Sequence, residues 1–240
     1  MKLDILVFGA HPDDAELGAG GTIAKEISRG KKVGIVDLTR GELGTRGSAE
    51  IRDSEAAAAA KILGVTVREN LQFADGFFVN DKSHQLEVIK MIRKYQPDIV
   101  LCNAVDDRHI DHPKGSQLVS DSCFLSGLIK IDTKAEGEEQ WQDPWRPRAV
   151  YHFIQWKNLE PDFVVNVTGF IEKKNEAILA YSSQFFDPNS DEPETPISSK
   201  NFIDSVTYRA RDLGRMVGVE YAEGFNVERF AAVDNLDALI

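Results

Sequence analysis

Short apolar runs alternating with helix-forming stretches constrain this chain more than any other feature. Asp4 to Ala10 reads Asp-Ile-Leu-Val-Phe-Gly-Ala, apolar without period-2 alternation, as expected of a parallel strand covered on both faces. Gly20 to Arg29 reads as a helix closed by Gly30, and Lys32 to Leu38 as a second buried strand. After a glycine-rich loop at Thr39 to Gly47 comes an alanine-rich helix, Ser48 to Leu63. Strands are expected at Val65 to Phe73 and Asp98 to Asn103, with an amphipathic helix, Ser83 to Tyr95, between them. Two more strands, Ala149 to Gln155 and Phe163 to Asn166, and two more helices, Gly169 to Ser182 and Ser199 to Met216, extend the pattern. It predicts one α/β domain over residues 1–240, a three-layer α/β/α, Rossmann-like fold with a mostly parallel sheet and ligands at the carboxyl ends of its strands. Two segments fall outside it: a polar excursion at 131–148, and 186–199, whose Pro188, Pro193 and Pro196 exclude regular structure and make it a candidate moving lid.

Charge and cysteine content remove several function classes. With 28 Lys+Arg against 39 Asp+Glu, the net charge is −11, and such a surface repels phosphate backbones, so no nucleic-acid partner is expected. An anionic small molecule would need its own arginines. No stretch approaches the ~18 apolar residues of a membrane span, and the N-terminal run is expected to be neither signal peptide nor anchor. Cys102 and Cys123 are too few for a disulfide framework or a thiolate zinc knot, and a cytoplasmic location is expected.

The chain has five histidines, and three of them lie in two short clusters. Ala10-His11-Pro12-Asp13-Asp14 follows the first strand, and His109-Ile110-Asp111-His112 follows the strand that ends near Asn103. Both fall where a doubly wound sheet places its site. Catalytic zinc takes three nitrogen or oxygen ligands and keeps one position open, and His11, Asp14 and His112 are candidates for such a set. An N/O site of this kind also accepts other divalent transition metals such as iron, cobalt or nickel. Asp13 is then available as the base that takes a proton from water. His109 is expected to stabilise an oxyanion while protonated, with Asp111 orienting it and raising its pKa.

Together these motifs resemble the zinc-dependent N-deacetylases of the PIG-L and LmbE type. The resemblance implies zinc on His11, Asp14 and His112, Asp13 as general base and His109 at the tetrahedral intermediate. It extends to Thr39–Gly47, Arg52 with Glu55, Phe73–Gly76, Tyr181–Phe185 and Tyr221–Phe225. Taken together, these segments are similar to the bacillithiol-pathway branch, which removes acetyl from N-acetylglucosaminyl L-malate. That likeness implies a small-molecule glycoconjugate as substrate, sugar-hydroxyl contacts from Arg52 and Asp75, and a homo-oligomer, with a hexamer as a candidate number. For the malate carboxylates, Arg108, Arg46 and Arg52 lie on the expected site edge, whereas Arg209 and Arg211 are expected to be structural. Relatives with similar zinc motifs act on chitooligosaccharides, which gives an alternative substrate class.

Other residues are expected to be structural. His84 should sit in the first turn of its helix, His152 in the core or pocket wall, and both cysteines should be small buried hydrophobes. Trp141, Trp145 and Trp156 suit sugar stacking or packing equally. A noncatalytic dinucleotide-binding reading, with Asp37 on the ribose, fits poorly. Gly18-Ala-Gly20 is followed by Ile23 where a third glycine is required, and Asp13 and Asp14 would face the pyrophosphate.

Overall fold

The absence of alternation in the first apolar run has a direct cause: every residue of the strand it forms, β1 (Ile5–Gly9), is buried. Ile5 and Val7 enter the core on one face of the sheet, and Leu6 and Phe8 enter the core on the other. The structure, a computed structural model, describes residues 1–134, 137 and 139–239. Residues 135, 136 and 138 of the expected 131–148 excursion lie outside that set.

The remaining elements follow in order as α1 (Asp14–Ser28), β2 (Val33–Thr39), α2 (Ala49–Leu63), β3 (Val67–Phe73), α3 (Lys82–Tyr95), β4 (Ile99–Cys102) and α4 (Asp111–Leu125). Then come β5 (Ala149–Phe153), β6 (Phe163–Asn166), α5 (Ile171–Leu179), α6 (Lys200–Met216) and β7 (Ala222–Val227). The strands form one sheet in the order β3-β2-β1-β4-β5-β7-β6, in which β7 pairs antiparallel with both neighbours and the other pairings are parallel. One core lies between the sheet and α1, α2 and α5, with Ile23, Ala59 and Ile178 at its centre. The other lies beneath α3 and α4, around Val88, Ile92 and Leu118. The fold is therefore the expected single α/β domain with helices on both faces of a mostly parallel sheet. Among the described residues no helix is long and apolar enough to cross a membrane.

The strand order reverses direction between β1 and β4, and at such a switch the loops after the two strands part and leave a crevice. Register places Ile5 beside Ile99 and Val7 beside Leu101, so the chain leaves both strands at the same edge. The two histidine clusters emerge there.

Two elements differ from expectation. Helix α1 begins at Asp14, six residues before Gly20, and Gly18, Gly20 and Gly21 lie inside it. These glycines let the helix pack closely on its neighbours: a Cβ on Gly18 would stand 2.1 Å from Phe153 Cδ2 in β5, and Cβ atoms on Gly20 and Gly21 would crowd Lys174 of α5 and Val167. Gly18→Ala should gain ~1 kcal/mol of helix propensity and lose ~1–3 kcal/mol or more to overpacking against fully buried Phe153. The expected net result is a lower melting temperature, and an unchanged or higher one would refute the close-packing explanation. Strand β7 was not expected, because Ala-Glu-Gly-Phe-Asn-Val carries a carboxylate in its interior. Glu223 is nonetheless buried and satisfied, accepting from the Gly21 and Thr22 amides and pairing with Lys174 at 2.6 Å.

Candidate active site

Pro12 and Asp13 turn the chain sharply from β1 into α1. Asp13 sits in the left-handed region, with φ 110°, a conformation that costs a non-glycine residue ~1–3 kcal/mol. Arg52 of α2 holds the turn: its Nη2 donates to the Pro12 carbonyl and, at 2.9 Å, to Asp13 Oδ2. Nη1 of the same side chain reaches the Gly41 carbonyl. Asp13 Oδ1 receives no hydrogen bond from the described residues, and Asp13 lines the cavity described below. Burial raises the Asp13 pKa to about 7, Asp14 adding to the rise while Arg52 opposes it.

Asp14, the first residue of α1, points back under the turn. It accepts from the His11 amide at 2.9 Å, from Asn103 Nδ2 at 2.9 Å and from Gln155 Nε2 at 2.8 Å. Burial works against its charge, but His112 and His11 outweigh that and hold its pKa well below the usual carboxylate range. Asp14 Oδ2 lies 3.5 Å from His11 Nδ1, and Asp14 Oδ1 lies 3.2 Å from His112 Nε2. Donor atoms of His11, His109 and His112 lie within 4.8 Å of one another. Residues about a hundred positions apart thus converge, as the parallel pairing of β1 with β4 requires.

Further carboxylates fix the imidazoles. Asp107 Oδ2 accepts from His112 Nδ1 at 2.5 Å, leaving Nε2 to face Asp14. Asp75 Oδ1 lies 3.2 Å and Asp111 Oδ2 3.5 Å from His11 Nε2, leaving Nδ1 to face Asp14. Burial alone would lower both histidine pKa values. Asp111, Asp14 and Asp75 raise that of His11, and Asp14 and Asp107 raise that of His112 to about 9. Asp13, Asp14, Asp75, Asp107 and Asp111 are all buried, a concentration of negative charge that favours a cation among them. The donor set and its hydrogen-bonded outer carboxylates fit a divalent transition metal.

The expectation for Asp111 requires correction. Its carboxylate accepts from the Gly76 amide at 2.7 Å and Lys114 at 2.8 Å and faces His11, and only its backbone N–H reaches His109, at Nδ1, 3.3 Å away. Asp111 opens α4, whereas His109 lies in the bend that precedes the helix. Burial and the charges on His11 and His112 lower the His109 pKa on balance, outweighing a smaller upward pull from Asp14 and Asp111. With Nδ1 accepting, the neutral ring carries its proton on Nε2.

The other expected residues are distributed unevenly. Arg52 and Asp75 line the cavity, but Arg52 is bound to Asp13, and Asp75 to His11 and the Leu43 amide. Arg108 lines the cavity with its guanidinium 4.5 Å above the Trp156 ring. Arg46 is buried under the 186–199 segment, bound to Ser190 and the Phe185 carbonyl. Thr195, Pro196 and Ile197 of that segment form part of the cavity wall, as does Arg209, for which a structural role was expected. His152 is a buried, satisfied histidine bonded to Ser116 and Glu228, and Cys102 and Cys123 are buried free thiols. Asp37 is taken up by Arg68, which leaves no carboxylate there for a ribose. Sequence reasoning missed Asn103, Gln155 and Asp107. The first two sit just beyond β4 and β5, and strand-end position was the one signal available.

The cavity has a volume of about 1200 Å³ and runs from the histidine cluster to α6. The PIG-L family, described as GlcNAc-PI de-N-acetylase, matches residues 6–123, which include both clusters. A conserved protein of Thermus thermophilus has a solved structure that superimposes with a TM-score of 0.85, at 34% identity over 97% of this chain and 98% of that one. The diacetylchitobiose deacetylase of Thermococcus kodakarensis is 29% identical over 232 residues, 92% of this chain and 81% of its own. The 4-oxalmesaconate hydratase of Pseudomonas putida is also 29% identical, over 199 residues, 75% of this chain and 73% of its own.

Proposed function

Because the chain belongs to the PIG-L family, we propose that it is a metal-dependent amide hydrolase that removes the acetyl group from an N-acetylglucosamine conjugate. The conjugate is N-acetylglucosaminyl L-malate, the products are glucosaminyl L-malate and acetate, and the metal is zinc. One observation carries the reading: His11, Asp14 and His112 converge at the end of a large cavity, with Asp13 beside them and a free oxygen on its carboxylate.

His11, Asp14 and His112 would hold the zinc, which when bound would supply Lewis acidity for hydrolysis of the acetamide. Asp13 takes the proton from the attacking water as it adds to the carbonyl carbon. Arg52 keeps Asp13 Oδ2 in place and leaves Oδ1 for the proton. His109 donates its Nε2 proton in a hydrogen bond to the oxygen on which charge develops, and a neutral imidazole suffices for that. Asp13 then passes its proton to the departing nitrogen, so the C–N bond breaks to give an amine and acetate. Asn103 and Gln155, by holding Asp14, keep the donor set in register with Asp13.

The hydratase relative supports a second reading, addition of water to an activated double bond, since the same base and cation could activate water for either reaction. An acetate-release assay of zinc-loaded protein on N-acetylglucosaminyl L-malate, diacetylchitobiose and N-acetylglucosamine separates them, with 4-oxalmesaconate consumption followed in parallel. Acetate release, fastest from the malate conjugate, is expected. Consumption of 4-oxalmesaconate with no acetate from any sugar would overturn the hydrolase reading.

A further inference from the structure

We propose that Arg108 and Arg209, both joined to Trp156 on the cavity wall, bind a carboxylate carried by the part of the substrate that lies beyond the acetylated sugar. The inference deepens the deacetylase reading and rests on it. A volume of about 1200 Å³ is far more than a single sugar occupies, so the cavity has a second compartment to account for. Its wall includes Trp156, whose ring stacks on Phe202 of α6 at 5.6 Å, and the two arginines.

Three arginines line the cavity, and Arg52 is neutralised by Asp13. Arg108 and Arg209 meet no carboxylate within ion-pair distance among the described residues. Arg209 is half-buried and donates only to neutral acceptors, Asn158 Oδ1 at 3.0 Å and the Trp156 carbonyl at 2.9 Å. Those two bonds use Nε and Nη2 and hold the guanidinium plane, while Nη1 has no acceptor among the described residues. Arg108 makes no side-chain hydrogen bond there and lies over the Trp156 ring. The acids on the same wall do not compensate: Asp107 is bound to His112, Asp212 to Arg215, and Glu160 is exposed. Burial lowers the Arg209 pKa, with Asp107 the one group opposing it, which is the condition of a desolvated cation short of counter-charge. In a protein of net charge −11, two such cations facing one cavity are a requirement that an anionic ligand meets, and the planar fork of arginine suits a carboxylate.

The test compares kcat/KM for N-acetylglucosaminyl L-malate with that for methyl N-acetylglucosaminide in zinc-loaded wild-type, Arg108→Met, Arg209→Met and Arg209→Lys proteins. The ratio of the two values should fall about 10–100-fold in each Met variant, the range for one charge-assisted hydrogen bond, and recover in part in Arg209→Lys. Equal losses on both substrates, or an unchanged ratio, would overturn the subsite. Should circular dichroism show Arg209→Met unfolded, Arg108→Met decides, because its side chain holds no backbone group in place. If wild-type protein releases acetate from neither substrate, the deacetylase reading fails separately. Calorimetric binding of N-acetylglucosaminyl L-malate to the metal-free protein then decides the subsite: a Kd weakened about 10-fold or more in Arg108→Met retains it, and an equal Kd ends it.

Discussion

Asp13→Asn protein is expected to hold its cation at wild-type stoichiometry and to turn over substrate about 10²–10⁴-fold more slowly, the usual contribution of a positioned general base. Asparagine is the informative substitute because it tolerates the left-handed backbone of residue 13 and can still accept from Arg52. What it removes is the ability to take a proton. The wild-type enzyme should show kcat/KM rising with pH as Asp13 ionises, since only the carboxylate form acts. Burial and Asp14 raise that pKa to about 7 in the metal-free protein, and a bound cation moves it downward. Metal analysis and a pH–rate profile of both proteins make the comparison. Turnover within a few-fold of wild type in Asp13→Asn would exclude Asp13 as the base.

His112→Ala is expected to lose both cation and activity. Removing the third donor leaves His11 and Asp14, too few to hold a divalent ion against dialysis, and the Asp107 carboxylate loses the ring it orients. Asp107→Asn provides the graded counterpart. It keeps all three donors, weakens the hydrogen bond to Nδ1, and should reduce metal affinity about 10–100-fold, measured by competition with a chelator. Full occupancy and unchanged affinity in His112→Ala would mean that the convergence of His11, Asp14 and His112 is not the metal site.

The parts of the fold visible in the sequence are those in which local pattern and tertiary environment agree. β1 and β4 are apolar because the sheet is covered on both faces, and Ser48 and Ser199 mark helix starts because their hydroxyls accept the Ile51 and Phe202 amides. Glu223 broke that agreement in β7: its partners, Lys174 and the amides of Gly21 and Thr22, come from distant segments, so nothing local marks its charge as satisfied. The start of α1 was obscured in the same way, by glycines whose reasons, Phe153, Lys174 and Val167, lie in distant segments. Within the site, His11, Asp13, Asp14, His109 and His112 were legible because histidine and aspartate cluster visibly. The direction of the Asp111 side chain was not, since spacing along the chain does not say which neighbour a carboxylate faces. Asn103 and Gln155 are neutral amides whose role exists only once β4 and β5 lie next to β1 and α1.

The donor atoms come from the two segments that follow β1 and β4, and these meet only because β1 lies in register with β4, Ile5 beside Ile99. An unfolded chain has no such meeting point, so an ion held there counts wholly toward the native state, by ~2.7 kcal/mol when free metal stands at a hundred times its dissociation constant. A cell short of that metal would carry copies that are not merely inactive but shorter-lived, opening more often to proteases. Protein abundance would then follow metal supply without any dedicated regulator.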